Sequence, residues 1–335
     1  ELALCLDELS SRLWDKGERD EAERLCREAF DIHRKIFVDV PDADSQYYLA
    51  RSYSHMASLL AATCRVRAAF VNYQQAIILN QQLADGFPNA PEHRKNLAEN
   101  QFHVAQLLWK ADWDAPENAT DPIDPDVVRR AASGGLAKRS TFLSGLPIIV
   151  PHDVAGRRRL AESAYRQAIT LEDGLRAEFP KDPQYALAAD RARVAHGLLL
   201  WEMKRCRDAI TVYRRLLVTT PEHADGQNNL AWFLATCPDE DLRDSAQAVA
   251  LAEKAVASEP NHLPFWNTLG VAHYRNGDLS GAIEALQRSI ELRSGGDSFD
   301  CRFLAMIEWR SGHEVADRQW VQQAVDWMQK YSPDN

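Results

Sequence analysis

The feature that most constrains this chain is a spacing that recurs. Three segments, AERLCREAFDIHRKIFVDVP (Ala22–Pro41), AAFVNYQQAIILNQQLADGFP (Ala68–Pro88) and AESAYRQAITLEDGLRAEFP (Ala161–Pro180), can be laid on one another. Each sets an alanine deep in an amphipathic pattern (Ala29, Ala76, Ala168) and a proline twelve residues later (Pro41, Pro88, Pro180). Ala29 and Ala76 lie 47 residues apart and Ala76 and Ala168 lie 92 apart, so the third copy carries an insertion of about 45 residues, placed at 111–155. An internal period of this kind builds a stack of like units rather than one enlarged core.

After Pro180 the period tightens. Ala209, Tyr213, Leu216 and Pro221 keep the same order, as do Ala248, Ala252, Ala255 and Pro260. The clearest copy reads FWNTLGVAHYRNGDLSGAIEALQRSIEL, with Trp266, Leu269, Gly270, Gly277, Ala282, Leu286 and Ser289. A last copy holds Leu304, Ala305, Gly312, Ala316, Val321 and Ala324.

The physical reading is a series of helix pairs. Small residues at Ala57, Ala105, Gly197, Ala231 and Gly270 let the first helix of each pair lie close to the second, and Leu60, Leu108, Leu200 and Leu234 fill the seam three positions on. Pro221 and Pro260 stop the second helix. In the first three copies that helix runs seven residues longer before its proline, about 10 Å more.

The W-x-x-L-G run from Trp266, the following Gly277 and the small Ala282 resemble the tetratricopeptide repeat. That resemblance covers nearly the whole chain. It implies an all-α, right-handed α-solenoid of about seven helix pairs, the first three with long second helices. The expected repeats are 1–41, 45–88, 92–180, 184–221, 222–260, 261–294 and 297–330, one domain over 1–335 with the insertion inside repeat three. A narrower resemblance lies in NNLAWFLATCPD, WNTLGVAHYRNGD and GGDSFDCRFLAM, across 222–310. These are similar to the TPR tails of large bacterial proteins that often carry a Hanks-type Ser/Thr kinase domain. That resemblance implies a regulatory or sensory tail as the alternative to a free-standing scaffold. The chain begins at Glu1 without Met, which reads as a fragment opening partway through a helix.

Composition narrows the function. A formal charge of −10 argues against a nucleic-acid partner, since phosphate contacts need a basic surface. No run of 18 apolar residues exists, so no membrane insertion is expected. The six cysteines (Cys5, Cys26, Cys64, Cys206, Cys237, Cys301) form no C-x-x-C, and no His stands at ligand spacing from them. They read as reduced thiols of a cytoplasmic protein, with no metal and no cofactor expected. The chain has no H-E-x-x-H, G-x-S-x-G, P-loop or kinase motif, so no enzyme activity is expected of it. His196 reads as a hydrogen-bonded core histidine, and the acidic turn CPDEDLRD as solvated. Within the insertion, Ser133 follows Arg129 and Arg130, and Ser140 follows Lys138 and Arg139, contexts that suit phosphorylation.

The expected partner is a protein or peptide held by a monomer in a concave groove. With Trp266 as position four of its repeat, a turn of about 100° per residue gathers positions two, five, nine, twelve and thirteen on the groove face. Position twelve is aromatic in five repeats: Trp14, Trp109, Trp201, Tyr274 and Trp309. Rigid rings bury much area at small entropic cost, which suits peptide binding. Trp232 at position nine, with Phe102, Gln106, Asn228, Asn267 and Arg302 beside the path, completes the candidate set. A carboxylate clamp for acidic chaperone tails is not expected, because only Asn229 matches its pattern and no Lys or Arg completes it.

Overall fold

The computed structural model describes residues 1–113, 153–293, 298–311, 320–322 and 325–326. All regular structure among the described residues is helical, as the repeats predict. None of these helices is long and apolar enough to cross a membrane.

The chain divides into two compact units, Glu1–Ala192 and Arg193–Asn335. The first contains α1 (Leu2–Asp15), α2 (Arg19–Asp39), α3 (Ala43–Ala62), α4 (Val66–Gly86), α5 (Pro91–Lys110) and α6 (Val154–Glu178). The boundary falls within α7 (Pro183–Glu202). The second unit continues with α8 (Cys206–Thr219), α9 (Ala224–Thr236), a 3₁₀ turn at Glu240–Leu242, α10 (Ser245–Ser258), α11 (Leu263–Asn276), α12 (Leu279–Leu292) and α13 (Ser298–Arg310). Consecutive helices pack on one another, α1 on α2, α3 on α4, α5 on α6, α9 on α10 and α11 on α12. The second helices differ in length as expected: α2 and α4 have 21 residues and α6 has 25, against 14 in each of α8, α10 and α12. The second helix of the seventh repeat falls mostly outside the described residues.

The recurring prolines act through the residue before them. A proline ring clashes with a preceding residue in α conformation and pushes it to extended φ/ψ. Val40, Phe87, Phe179, Thr220 and Glu259 each precede a proline, and each caps its helix at φ between −140 and −123° and ψ between 63 and 85°. Each still donates its N–H to the carbonyl four residues back, so no cap leaves that donor unpaired. Within the pairs, the short turns pass through left-handed backbone at Gly17, Cys64, Lys204 and Gly277. Glycine adopts that conformation freely, whereas at Cys64 and Lys204 a side chain carries the strain.

The seam is built from the small residues that the sequence marks. Ala57, Ala105 and Ala231 are wholly buried, and Leu60, Leu108, Leu200 and Leu234 are buried beside them. A Cβ at Gly270 would stand 2.6 Å from Leu286 Cγ and 3.3 Å from the Ala282 carbonyl oxygen. At Gly197 it would run into the ring of Tyr213. Polar ties join helices within and between the repeats. Arg65 pairs with Glu23 at 2.5 Å and holds its carboxyl down to about 2. Arg94 grips Glu178 through two nitrogens. In the second unit the fully buried Asp300 accepts from Asn267 at 2.5 Å and from Ser289 at 3.1 Å, tying α13 to α11 and α12.

The start of the insertion departs from the sequence reading. The segment DWDAPENATDPIDPD reads as a Pro/Asp-rich surface loop, but the structure buries Trp113 in the first unit. Its indole N–H donates to the Leu107 carbonyl at 2.9 Å, its own carbonyl accepts from Arg67 at 2.7 Å, and its ring meets Phe70 edge-on. A lone tryptophan among loop-forming residues gives no periodic signal, and its socket is built by Arg67 and Phe70 of α4 together with the end of α5. Ser133 and Ser140 lie outside the described residues.

Replacing Gly270 by Leu is expected to cost about 1–3 kcal/mol or more, because the close approach to Leu286 leaves no room for the side chain. Repeats couple mainly to their neighbours, so hydrogen exchange in Gly270→Leu should quicken in α9 to α12 before α1 to α4. Uniform quickening along the chain would contradict this.

Candidate functional site

In the first unit, α1, α3 and α5 turn one face each toward a shared groove of about 710 Å³. Its walls follow the helical register. Leu4, Asp7 and Ser11 occupy positions two, five and nine of the first repeat, and Arg51, Ser54 and Ser58 occupy the same positions of the second. Glu99 is position two of the third. Position six joins them, with Glu8, His55 and His103, and Tyr73 and Asn80 of α4 also line the groove. Of the expected positions two, five, nine, twelve and thirteen, the first three supply lining residues and the last two supply none. Trp14 and Trp109 at position twelve, and Phe102 and Gln106 beside them, do not line this groove.

The groove is polar and cross-linked. His55 Nδ1 stands 3.4 Å from Asp7 Oδ1, and its Nε2 stands 3.3 Å from Ser11 Oγ. Ser54 donates to Asn100 Oδ1 at 2.8 Å, and Asn100 donates to the Asn96 carbonyl at 2.7 Å. These contacts bridge α1 to α3 and α3 to α5. The Arg51 guanidinium lies 3.7 Å and His33 Nδ1 4.0 Å from Asp7 Oδ2. Two buried acceptors, Asp7 Oδ2 and Asn80 Oδ1, have no hydrogen-bond partner among the described residues. Buried polar atoms are nearly always satisfied, so such atoms on a groove wall are places where a ligand can add a bond. Burial, with the Arg191 charge behind it, pushes His103 down to about 4, so it is neutral at pH 7. The groove then carries Asp7, Glu8 and Glu99 against Arg51 alone, an acidic balance.

One group was invisible in chain spacing. The ligand atoms of Asp7, Cys26 and His55 all lie within 4.8 Å of one another, although the residues come from α1, α2 and α3. The sequence reading finds no His at ligand spacing from a cysteine, and along the chain none is. Stacking of the helices creates the proximity. Burial, reinforced by the charges of Asp7 and Glu23, pushes the Cys26 thiol up to about 12.

The aromatic candidates occupy varied surroundings. In the first unit Trp14 lies under the Arg19 guanidinium at 5.5 Å. Trp109 is half-buried, edge-on to Tyr165 at 6.2 Å with Lys110 Nζ 4.6 Å over its ring. Phe102 is buried beneath the Arg191 guanidinium, and Gln106 hydrogen-bonds His103. In the second unit Trp201 stacks on the buried Phe233 at 4.1 Å and 6°, so one of its faces is covered. Tyr274 meets Phe303 edge-on, Trp232 packs partly against the core, and Trp309 is 71% exposed. Arg302 is exposed. Asn228 is buried and donates to Asn229, whose own amide donates to the Tyr213 hydroxyl. The Asn267 amide is committed to Asp300, a structural tie that a reading of position five alone cannot foresee. His196 is buried, and Arg243 holds the acidic turn through the Cys237 carbonyl at 2.6 Å.

Comparison with known proteins identifies the repeat itself. Family models of the tetratricopeptide repeat match residues 2–42, 194–236 and 240–297. The chain thus contains tetratricopeptide repeats, in both of its compact units. Among curated proteins it is 22% identical over 275 residues to "Superkiller complex protein 3" of Mus musculus, covering 82% of this chain and 16% of that protein. It is 28% identical over 109 residues to "Protein FlbA" of Caulobacter vibrioides, covering 32% and 17%. The chain spans about a sixth of the length of these relatives. Similar solved structures include "MamA 41-end from Desulfovibrio magneticus RS-1", at 17% identity and TM-score 0.40, covering 52% of this chain and 92% of that one. A thermophilic TPR protein of Thermus thermophilus matches at 17% identity and TM-score 0.36, covering 53% and 88%.

A titrating carboxyl on α6 feels the charge of the groove's Glu99. Glu172 on α6 is buried with Oε2 lacking a hydrogen bond, and burial, then the charge of Glu99, raises it to about 7. Unfolded, it titrates near the ordinary value of about 4.3. Between these values the folded chain holds a proton that the unfolded chain has lost, so this group's contribution to stability falls as pH rises from about 4 to 7. Glu172→Gln is expected to gain stability relative to the parent across that window. Denaturant titrations of both proteins at pH 4.5 and 7.5 check this; a difference that does not change with pH would contradict it.

Proposed function

We propose that this chain is a protein-interaction scaffold whose groove on α1, α3 and α5 holds an extended segment or helix of a partner. Tetratricopeptide repeats typically serve as protein-interaction scaffolds and generally lack catalysis of their own, which supports the reading. The observation that carries it is the polar groove wall, where the buried acceptors Asp7 Oδ2 and Asn80 Oδ1 receive no hydrogen bond among the described residues. The excess of carboxylates over Arg51 favours a segment rich in Lys, Arg and amide donors. The chain's charge of −10 works in the same direction and against nucleic acid. The half-buried Trp109 and the exposed Trp309 are proposed as auxiliary contacts, each within its own unit. The protein is proposed to act as a monomer in the cytoplasm.

The alternative, a regulatory tail of an upstream kinase domain, rests on the resemblance of residues 222–310 and is decided by the coding sequence ahead of Glu1.

Selection of the whole chain against a random displayed-peptide library tests the groove. Basic, donor-rich sequences are expected, with binding weakened about tenfold or more by Glu8→Lys combined with Glu99→Lys and unchanged by Arg215→Ala, which alters an exposed side chain of the second unit, at constant helical content. An acidic consensus, or binding indifferent to the charge reversals, would sink the proposal.

A further inference from the structure

We propose that Asp7, Cys26 and His55 form a binding site for a divalent transition metal of the zinc class at the wall of the first unit's groove. The case starts from the cost of the arrangement as it stands. A carboxylate and a thiol from different helices are buried together, Asp7 at 5% and Cys26 at 0% exposure. Asp7 Oδ2 accepts no hydrogen bond despite being buried. Arg51 at 3.7 Å and His33 at 4.0 Å face this oxygen without hydrogen-bonding it. A buried carboxylate so held is costly, a cost that a cation bound directly between carboxylate and thiol would offset.

The geometry suits a small tetrahedral ion. Bonds of about 2.0–2.3 Å to oxygen, nitrogen and sulfur put ligand atoms roughly 3.3–3.7 Å apart. His55 Nδ1 and Asp7 Oδ1 already stand 3.4 Å apart, and all three ligand atoms lie within 4.8 Å, so side-chain shifts of about 1 Å close the set. The imidazole is oriented from behind. With Nδ1 facing the ion, Nε2–H donates to Ser11 Oγ at 3.3 Å, the outer hydrogen bond that fixes a ligating histidine's tautomer. Asp7 and His55 line the groove, which supplies an entry path and leaves a fourth coordination position for water or a partner's side chain.

The donor set selects the ion. Thiolate, imidazole and carboxylate suit zinc and its neighbours, whereas calcium and magnesium take all-oxygen sites. Binding forms the metal–sulfur bond and releases the thiol proton to solvent. Carboxylate and thiolate then balance the two positive charges. Arg51 and His33 are the other groups facing Asp7. Arg51 is the competing cation, and its side chain is 44% exposed, so it can turn outward as the ion enters. The inference stands whether or not the groove also holds a protein partner.

Cobalt is the probe, because its complexes report their ligands optically. The full chain, reduced and stripped with a chelator, is titrated with Co²⁺. The expected result is one equivalent bound with a thiolate-to-cobalt charge-transfer band, bleached by Zn²⁺. Cys26→Ser should abolish the band, and Cys64→Ser, which alters an exposed thiol, should leave it intact. His55→Asn should weaken binding by at least the roughly 10–100-fold seen when an outer-shell partner is removed. If Cys26→Ser fails to fold by circular dichroism, His55→Asn decides, since His55 lies at the groove surface. Absence of the band in the parent, its persistence in Cys26→Ser, or unchanged affinity in His55→Asn overturns the proposal.

Discussion

Among the described residues, the helix pairs depend on one close approach, that of a small residue on the first helix to the side chains of the second. Ala57, Ala105, Ala231 and Gly270 have no bulk to hold the helices apart, and the leucines three positions on fill the remaining space. A pair packed this way hides only part of its apolar surface, and the rest is covered by the next pair. Stacking is therefore the means by which the core exists. The pre-proline residues set where each second helix stops, through a steric rule local to the peptide bond.

The groove follows from the same constraint. Because the small residues fix which face of each first helix turns inward to its partner, the opposite face is fixed as well. In the first unit that face gathers Asp7, Arg51, Ser54, His55 and Glu99 on neighbouring helices. Their charges and hydrogen bonds come from positions that the core does not use. A repeat protein can thus alter what it binds without altering how it folds.

Much of this was legible in the sequence, for identifiable reasons. The small-residue register, the prolines and the longer second helices are local and periodic, and the structure reproduces them down to the seven-residue difference between α2 and α8. What was not legible depends on neighbours distant in the chain. Trp113 looks like loop because its socket is built by Phe70 and the end of α5. Asn267 looks like a ligand contact until Asp300 is brought beside it. Trp201 has the register of a groove residue, yet Phe233 of the following repeat covers one of its faces. The cluster of Asp7, Cys26 and His55 arises only when three helices are stacked, so no spacing rule along the chain could reveal it.

Recognition by the first helices of the N-terminal repeats, as proposed, is checked by a hydrogen-exchange footprint of the whole chain with and without a selected basic peptide. Slowed exchange is expected in α1, α3 and α5, with α2 and the outer turns of α4 unchanged. Protection centred on α2, α4 or α6, or confined to the second unit, would contradict it.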